Sequence, residues 1–149
     1  LKIPVLVWSN GACSNDGTGF QAFLGQVSSY GVLAIASGAA GGTGSSSVQE
    51  MRDSINWVAA NAGKGSYAHV DGTRIAAAGQ SCGGLEALEM RNDTRVSTLS
   101  IFDSGEFGTT TVPSEIHVSI FYFMGGPTDI AYTNVFFPPV FPPVMSKKY

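Results

Sequence analysis

The 149-residue chain is poor in charge: only 13% of its residues are Asp, Glu, Lys or Arg. Its formal net charge is −3. The one basic pair is Lys147-Lys148. A nucleic-acid surface, which needs clustered Lys and Arg, is excluded on that ground. Cysteine is scarce, with Cys13 and Cys82 alone, so neither the pairing nor the spacing of a zinc site is present and no metal centre is expected. Histidine is equally scarce, with only His69 and His117. There is no dinucleotide-binding G-x-G-x-x-G loop and no Walker sequence, and no cofactor is expected. An uninterrupted transmembrane run is missing too. The most apolar stretch, Ile116 to Met145, is broken by Gly125-Gly126, Asp129 and prolines, so no membrane span is expected.

What the chain has is apolar content, 44%, sufficient for one core and one domain. The apolar segments are of two alternating kinds. Ile3–Trp8, Val32–Ala36, Arg74–Ala78, Val96–Phe102 and Ile116–Met124 are short continuous runs that read as buried strands. Between them, Phe20, Phe23, Leu24 and Val27 recur at helical spacing, and Gly31 stands where that helix would end. Val48, Met51, Ile55, Val58 and Ala59 mark a second helix, and Cys82–Met90 a third. Trp8 and Trp57 are expected in the core. This alternation predicts a three-layer α/β/α sandwich with a mainly parallel sheet. Ligands of such sheets sit beyond the carboxyl ends of the strands. The Gly/Ser-rich segment Ser37–Ser47 falls at that end, either as a passive connection or as part of a cleft wall.

One motif carries chemistry. Gly79-Gln80-Ser81-Cys82-Gly83 has the form G-x-S-x-G between a strand and a helix. A serine on such a turn is held in a strained backbone with its hydroxyl above the sheet edge. Side chains two residues to either side would collide, hence the glycines. The N–H of Cys82 would point at a developing oxyanion. A second donor must come from a loop after an earlier strand. Asn10-Gly11-Ala12-Cys13-Ser14 is such a loop, with the N–H of Ala12 or Cys13 as candidate. The plainer alternatives are a tight turn with an incidental serine, and a strand-to-helix turn capped by Ser14 or Asp16. Cys13 and Cys82 fall on the two loops in question. A disulfide between them would clamp both donors; two free buried thiols are the alternative.

These segments, with Ile35-Ala36-Ser37-Gly38 and Phe123-Met124-Gly125-Gly126-Pro127-Thr128-Asp129-Ile130-Ala131-Tyr132, resemble secreted fungal α/β-hydrolase-fold proteins. Those are distantly similar to cutinase-like and dienelactone-hydrolase-like serine esterases. The resemblance runs from Leu1 to about Asn134 and implies an α/β-hydrolase core over 1–134. It implies Ser81 as nucleophile and Asp129 as the triad acid, with Asp103 as competitor. It implies a carboxylic ester, small or polymeric, as substrate. The family's histidine lies well after the acid, and here no histidine follows Asp129. His69 lies in a loop ahead of the third strand and His117 opens the fifth, both at the wrong end of the sheet. Loss of the base leaves a weak nucleophile, so a catalytically silent binding protein is the rival expectation.

Residues 135–149 are expected to be a Pro-rich irregular tail, since Pro-Pro repeats suit neither helix nor central strand. That tail suggests an altered reading frame, an incomplete sequence, or a segment for partners that recognise polyproline. The family has further strands before the position of Leu1, so the core is expected to lack both ends. An exposed sheet edge would then invite association. Asn92-Asp93-Thr94 is a glycosylation triplet. With the low charge and a possible disulfide it points to a secreted, extracellular glycoprotein.

Overall fold

In the computed structural model, residues 2–106 and 115–134 are described. The Pro-rich segment expected over 135–149 lies outside them. Among these residues, five strands form one parallel sheet: β1 (Ile3–Ser9), β2 (Leu33–Ala36), β3 (Val70–Gln80), β4 (Val96–Phe102) and β5 (Ser119–Phe123). Their order in space is β2-β1-β3-β4-β5. The helices are α1 (Gln21–Ser29), α2 (Val48–Asn61), α3 (Cys82–Leu88) and a short α4 (Ile130–Asn134).

The layers follow from alternation along each strand. In β1, Val5 and Val7 face one side and Leu6 and Trp8 the other. Val5 and Val7 join Ile75, Ala77, Leu99 and Ile101 under Met51, Ile55 and Val58 of α2 and Ala87 and Leu88 of α3. On the opposite face, Trp8 and Ala78 meet Leu24 of α1, with Phe20 and Phe102 at the margin. Trp8 lies within 5.0–5.4 Å of the rings of Phe20, Phe23 and Phe102. The expected three-layer α/β/α arrangement is therefore present, with α1 on one face and α2 and α3 on the other.

Some elements differ from expectation. β3 begins at Val70, four residues before the expected Arg74. Asp71 and Gly72 are poor strand formers. The Asp71 carboxylate accepts from Thr73 N–H and from Arg74 Nε, which lets the chain enter the sheet there. β5 is shorter than expected, and α4 follows Asp129 without an apolar repeat long enough to announce it. Trp57 is not in the core but 38% exposed, edge-on to Tyr67 at the outer side of β2. It sits on α2 six residues after Met51, a spacing that turns it away from the Met51–Ile55–Val58 stripe. α2 starts with a capping box in which Ser47 Oγ accepts from Glu50 N–H and the Glu50 carboxylate accepts from Ser47 N–H.

Strand order decides where a site can form. The chain winds one way from β1 to β2 and the other way from β3 onward, so the order reverses between the adjacent strands β1 and β3. Loops leaving those two strands part there and open a crevice. Leu99 is fully buried at the centre of the larger core cluster. Leu99→Ala is expected to lower stability by about 2–5 kcal/mol, read as a shift in the urea unfolding midpoint at unchanged slope.

Candidate functional site

β1 and β3 end level with each other, Ser9 opposite Gly79. The segments leaving them are therefore brought together at the sheet's carboxyl edge: Asn10–Ser14 after β1, Ser81-Cys82 after β3.

Ser81 sits between β3 and α3 with φ 53° and ψ −117°. A non-glycine residue in that region costs about 1–3 kcal/mol and persists only where its surroundings over-determine it. Here they do. Ser81 N–H donates to the Phe102 carbonyl at 2.9 Å. The Ser81 carbonyl accepts from Ser104 Oγ at 2.6 Å and from Gly84 N–H at 2.9 Å. The glycines of the motif are sterically required. A Cβ on Gly79 would lie 2.1 Å from the Gly83 carbonyl oxygen, and one on Gly83 would lie 2.1 Å from the Ser9 carbonyl oxygen. Both obstacles are backbone and cannot swing aside.

The loop after β1 is a single 3-10 turn, Gly11–Cys13, in which Ala12 (φ 54°) and Cys13 (φ 49°) both take left-handed backbone. It is not a capped helix start: α1 begins at Gln21 with no side-chain cap, and the Asp16 carboxylate instead accepts from Thr18 and from Gly41 N–H. Asn10, 2% exposed, is the loop's internal brace. It accepts from Trp8 Nε1 at 3.0 Å and donates to the carbonyls of Ser14 (3.1 Å) and Asp16 (2.7 Å).

Cys13 and Cys82 are joined by a disulfide, with Cα atoms 5.2 Å apart. The free-thiol alternative is thereby set aside. The bridge spans 69 residues, and closing a loop of that length stabilises by about 4 kcal/mol on the chain-entropy model. It fixes the 3-10 turn beside the first residue of α3. The N–H of that residue, Cys82, has no acceptor within its own helix. Ala12, Cys13 and Cys82, the three candidate oxyanion residues, are thus gathered at one corner of the sheet edge.

Glu86, on α3, has no counterpart among the residues singled out from sequence. It is 6% exposed, and its carboxylate accepts from Ser9 Oγ and from Ser46 Oγ, the latter at 2.9 Å. Among the described residues it forms no ion pair. Ser46 in turn donates its N–H to the Cys13 carbonyl at 2.6 Å. The Ser37–Ser47 segment is therefore not a passive connection. Ser37 and Ser46 are buried, while Ala39 and Ser45 bridge to Asp16 and Ser14. Glu86 could have been flagged from spacing, since it falls on the buried stripe with Gly83, Ala87 and Met90. Among the described residues, Cys13, Cys82 and Glu86 are also the one group of three whose ligand atoms lie mutually close, within 4.8 Å.

The two candidate acids meet. Asp103 follows β4 and Asp129 follows β5, strands paired in register to Phe102 and Phe123. Asp103 N–H donates to the Phe123 carbonyl, and its carboxylate accepts from Gly125 N–H at 2.7 Å. Asp129 Oδ1 accepts from Ala131 N–H, closing the first turn of α4. Burial pushes the Asp103 carboxyl above the usual carboxylate range. The Gly125 N–H offsets part of that, and the adjoining Asp129 carboxyl adds to it. Among the described residues no hydrogen bond joins Ser81 Oγ to either carboxyl. His69 and His117 are exposed and lie ahead of β3 and β5 respectively. Ser81 is at the other end of the eleven-residue β3, on the order of 30 Å from His69. The shallow apolar groove lined by Leu33, Ile35, Trp57 and Tyr67 lies at the β2 edge, away from Ser81.

Among solved structures, the chain is similar to the α/β hydrolase GrgF from Penicillium sp. sh18, with a TM-score of 0.54 at 18% identity. The match covers 68% of this chain and 37% of that one. The chain thus has an α/β-hydrolase-type fold and spans a little over a third of the hydrolase it matches. No family model and no curated protein matches its sequence.

Two outcomes are expected. Gly83→Ala forces a methyl into the Ser9 carbonyl and should cost about 1–3 kcal/mol or more in a urea titration. Asp103→Asn keeps the acceptor for Gly125 and the tolerated left-handed backbone (φ 44°). A carboxyl raised in the folded state binds its proton more tightly there than when unfolded. Its contribution to stability therefore falls as pH rises from about 4, the unfolded value, through the folded one. Asp103→Asn should consequently gain stability relative to the parent over that window and hold the gain above it, measured as unfolding midpoints from acid to neutral pH.

Proposed function

We propose that this chain carries the nucleophile half of a serine ester hydrolase, acting on small or polymeric carboxylic esters through an acyl-Ser81 intermediate. The observation that carries the reading is the backbone of Ser81, φ 53° and ψ −117° at the strand-to-helix turn, held from both sides and flanked by glycines that admit no side chain. In this reading Ser81 Oγ attacks the ester carbonyl. The N–H of Cys82 and that of Ala12 or Cys13 receive the oxyanion. Donors fixed in advance are worth about 3–4 kcal/mol each in such steps. Asp129 is the acid that orients and charges the base.

The base is a group other than His69 and His117, both at the far end of the sheet. Without one, a fixed serine and oxyanion donors still retain roughly three to four orders of rate over water. A secreted setting with glycosylation at Asn92, exposed at the end of a 3-10 turn, belongs to the same proposal, as does association through the open β2 edge. Among the described residues, no helix is long and apolar enough to cross a membrane.

One observation favours a second reading, a ligand-binding fold without turnover: among the described residues no hydrogen bond joins the Ser81 hydroxyl to Asp103 or Asp129. A fluorophosphonate probe separates the two. The hydrolase reading expects slow addition of one adduct by intact mass, lost in Ser81→Ala and retained in His69→Ala and His117→Ala. An unlabelled chain after prolonged exposure, with the fold intact by circular dichroism, selects the binding reading.

A further inference from the structure

We propose that reduction of the Cys13–Cys82 bridge turns the side-chain cluster beside α3 into a binding site for a thiophilic divalent cation of the zinc class, ligated by Cys13 Sγ, Cys82 Sγ and the Glu86 carboxylate. The inference does not depend on ester hydrolysis.

Three observations carry it. First, the ligand atoms are already gathered, all within 4.8 Å of one another. Zinc bonds of about 2.3 Å to sulfur and 2.0–2.2 Å to oxygen imply donor separations of roughly 3.5–3.8 Å. Once the S–S bond is gone, the two sulfurs need only part by roughly an ångström or two to reach that spacing. Second, the Glu86 carboxylate is 6% exposed and faces no cation among the described residues, only the hydroxyls of Ser9 and Ser46. A buried carboxylate with hydroxyl partners alone is undercompensated, and a divalent ion supplies what is missing. Third, the frame around the ligands has holds besides the bridge. Cys82 and Glu86 are one turn apart on α3, whose Gly83 abuts the Ser9 carbonyl. Cys13 is held through its carbonyl by Ser46 N–H at 2.6 Å, and Ser46 is held by Glu86.

The donor set names the metal class. Two thiolates and one carboxylate are too soft for calcium or magnesium and fit zinc or its cobalt substitute. Three protein ligands leave a fourth position for water, the pattern of an open zinc site. The chemistry balances with a phosphine as reductant. The phosphine takes up the oxygen of one water and becomes the phosphine oxide, its electron pair breaks the S–S bond, and the two water protons leave the sulfurs as thiols. Zinc then displaces both thiol protons to solvent. While the disulfide stands, its sulfurs offer no thiolate and the site is closed.

The test uses the whole chain. It is reduced anaerobically with a phosphine, desalted, and titrated with Zn²⁺ against a chromophoric chelator and with Co²⁺ by absorption. The expected result is one equivalent bound by the reduced chain and none by the bridged one. Co²⁺ should give a thiolate charge-transfer band. Glu86→Gln should weaken binding by at least about tenfold, and Cys13→Ser with Cys82→Ser should abolish it. Equal binding by bridged and reduced chains overturns the proposal. So does a Glu86→Gln affinity equal to the parent's, or the same affinity in unfolding concentrations of urea. Loss of near-ultraviolet circular dichroism on reduction overturns it too, because the site requires the fold.

Discussion

The contact on which the rest depends is the crossing of α3 over the end of β1, where the backbone of Gly83 meets the carbonyl of Ser9 with no room for a Cβ. If the helix stood off by the thickness of one methyl group, the turn at Ser81 would relax. The Ser104 and Gly84 bonds to its carbonyl would lengthen, and Cys82 would leave the reach of Cys13. The glycines set the distance, the hydrogen bonds hold the strain, and the disulfide makes the approach permanent. Ser9, Ser46 and Glu86 then fill the remaining space with hydroxyl-to-carboxylate bonds. The strained serine, the left-handed turn at Ala12–Cys13 and the buried carboxylate are three results of one close approach.

Much of this is legible in the sequence. Apolar runs such as Ile3–Trp8 and Val96–Phe102 are too short for helices and too continuous for half-exposed strands, so they announce a buried parallel sheet. Gly79 and Gly83 around Ser81 announce the turn, since their spacing has a steric cause that survives translation into three dimensions. Cys13 and Cys82 can be paired because each follows a strand expected at the same edge.

The rest is hidden for physical reasons. The spacing puts Glu86 on the buried stripe of α3 but does not reveal what it faces, since Ser9 and Ser46 are 77 and 40 residues away. Asp103 and Asp129 look like rivals for one role. Only the pairing of β4 with β5 shows that they share a neighbourhood, with burial raising the Asp103 carboxyl. Trp57 misleads because its size argues for the core while its position on α2 turns it outward. Nothing in sequence spacing reports that Asn10 braces its loop from within.

The disulfide also divides the chain by cooperativity. Its covalent ring runs from Cys13 to Cys82 and encloses α1, β2, α2 and β3. β1, β4, β5 and α4 lie outside it, as do both carboxyls. Local openings that fray the sheet from the β5 edge can release Asp103 and Asp129 while Cys82 and the Ala12–Cys13 turn remain tied through the bridge. The bridged turn and the two carboxyls therefore belong to units of different kinetic persistence, one covalently ringed and one held only by strand pairing and packing. Amide exchange would register that boundary between Cys82 and Val96, within a domain whose architecture otherwise shows no seam.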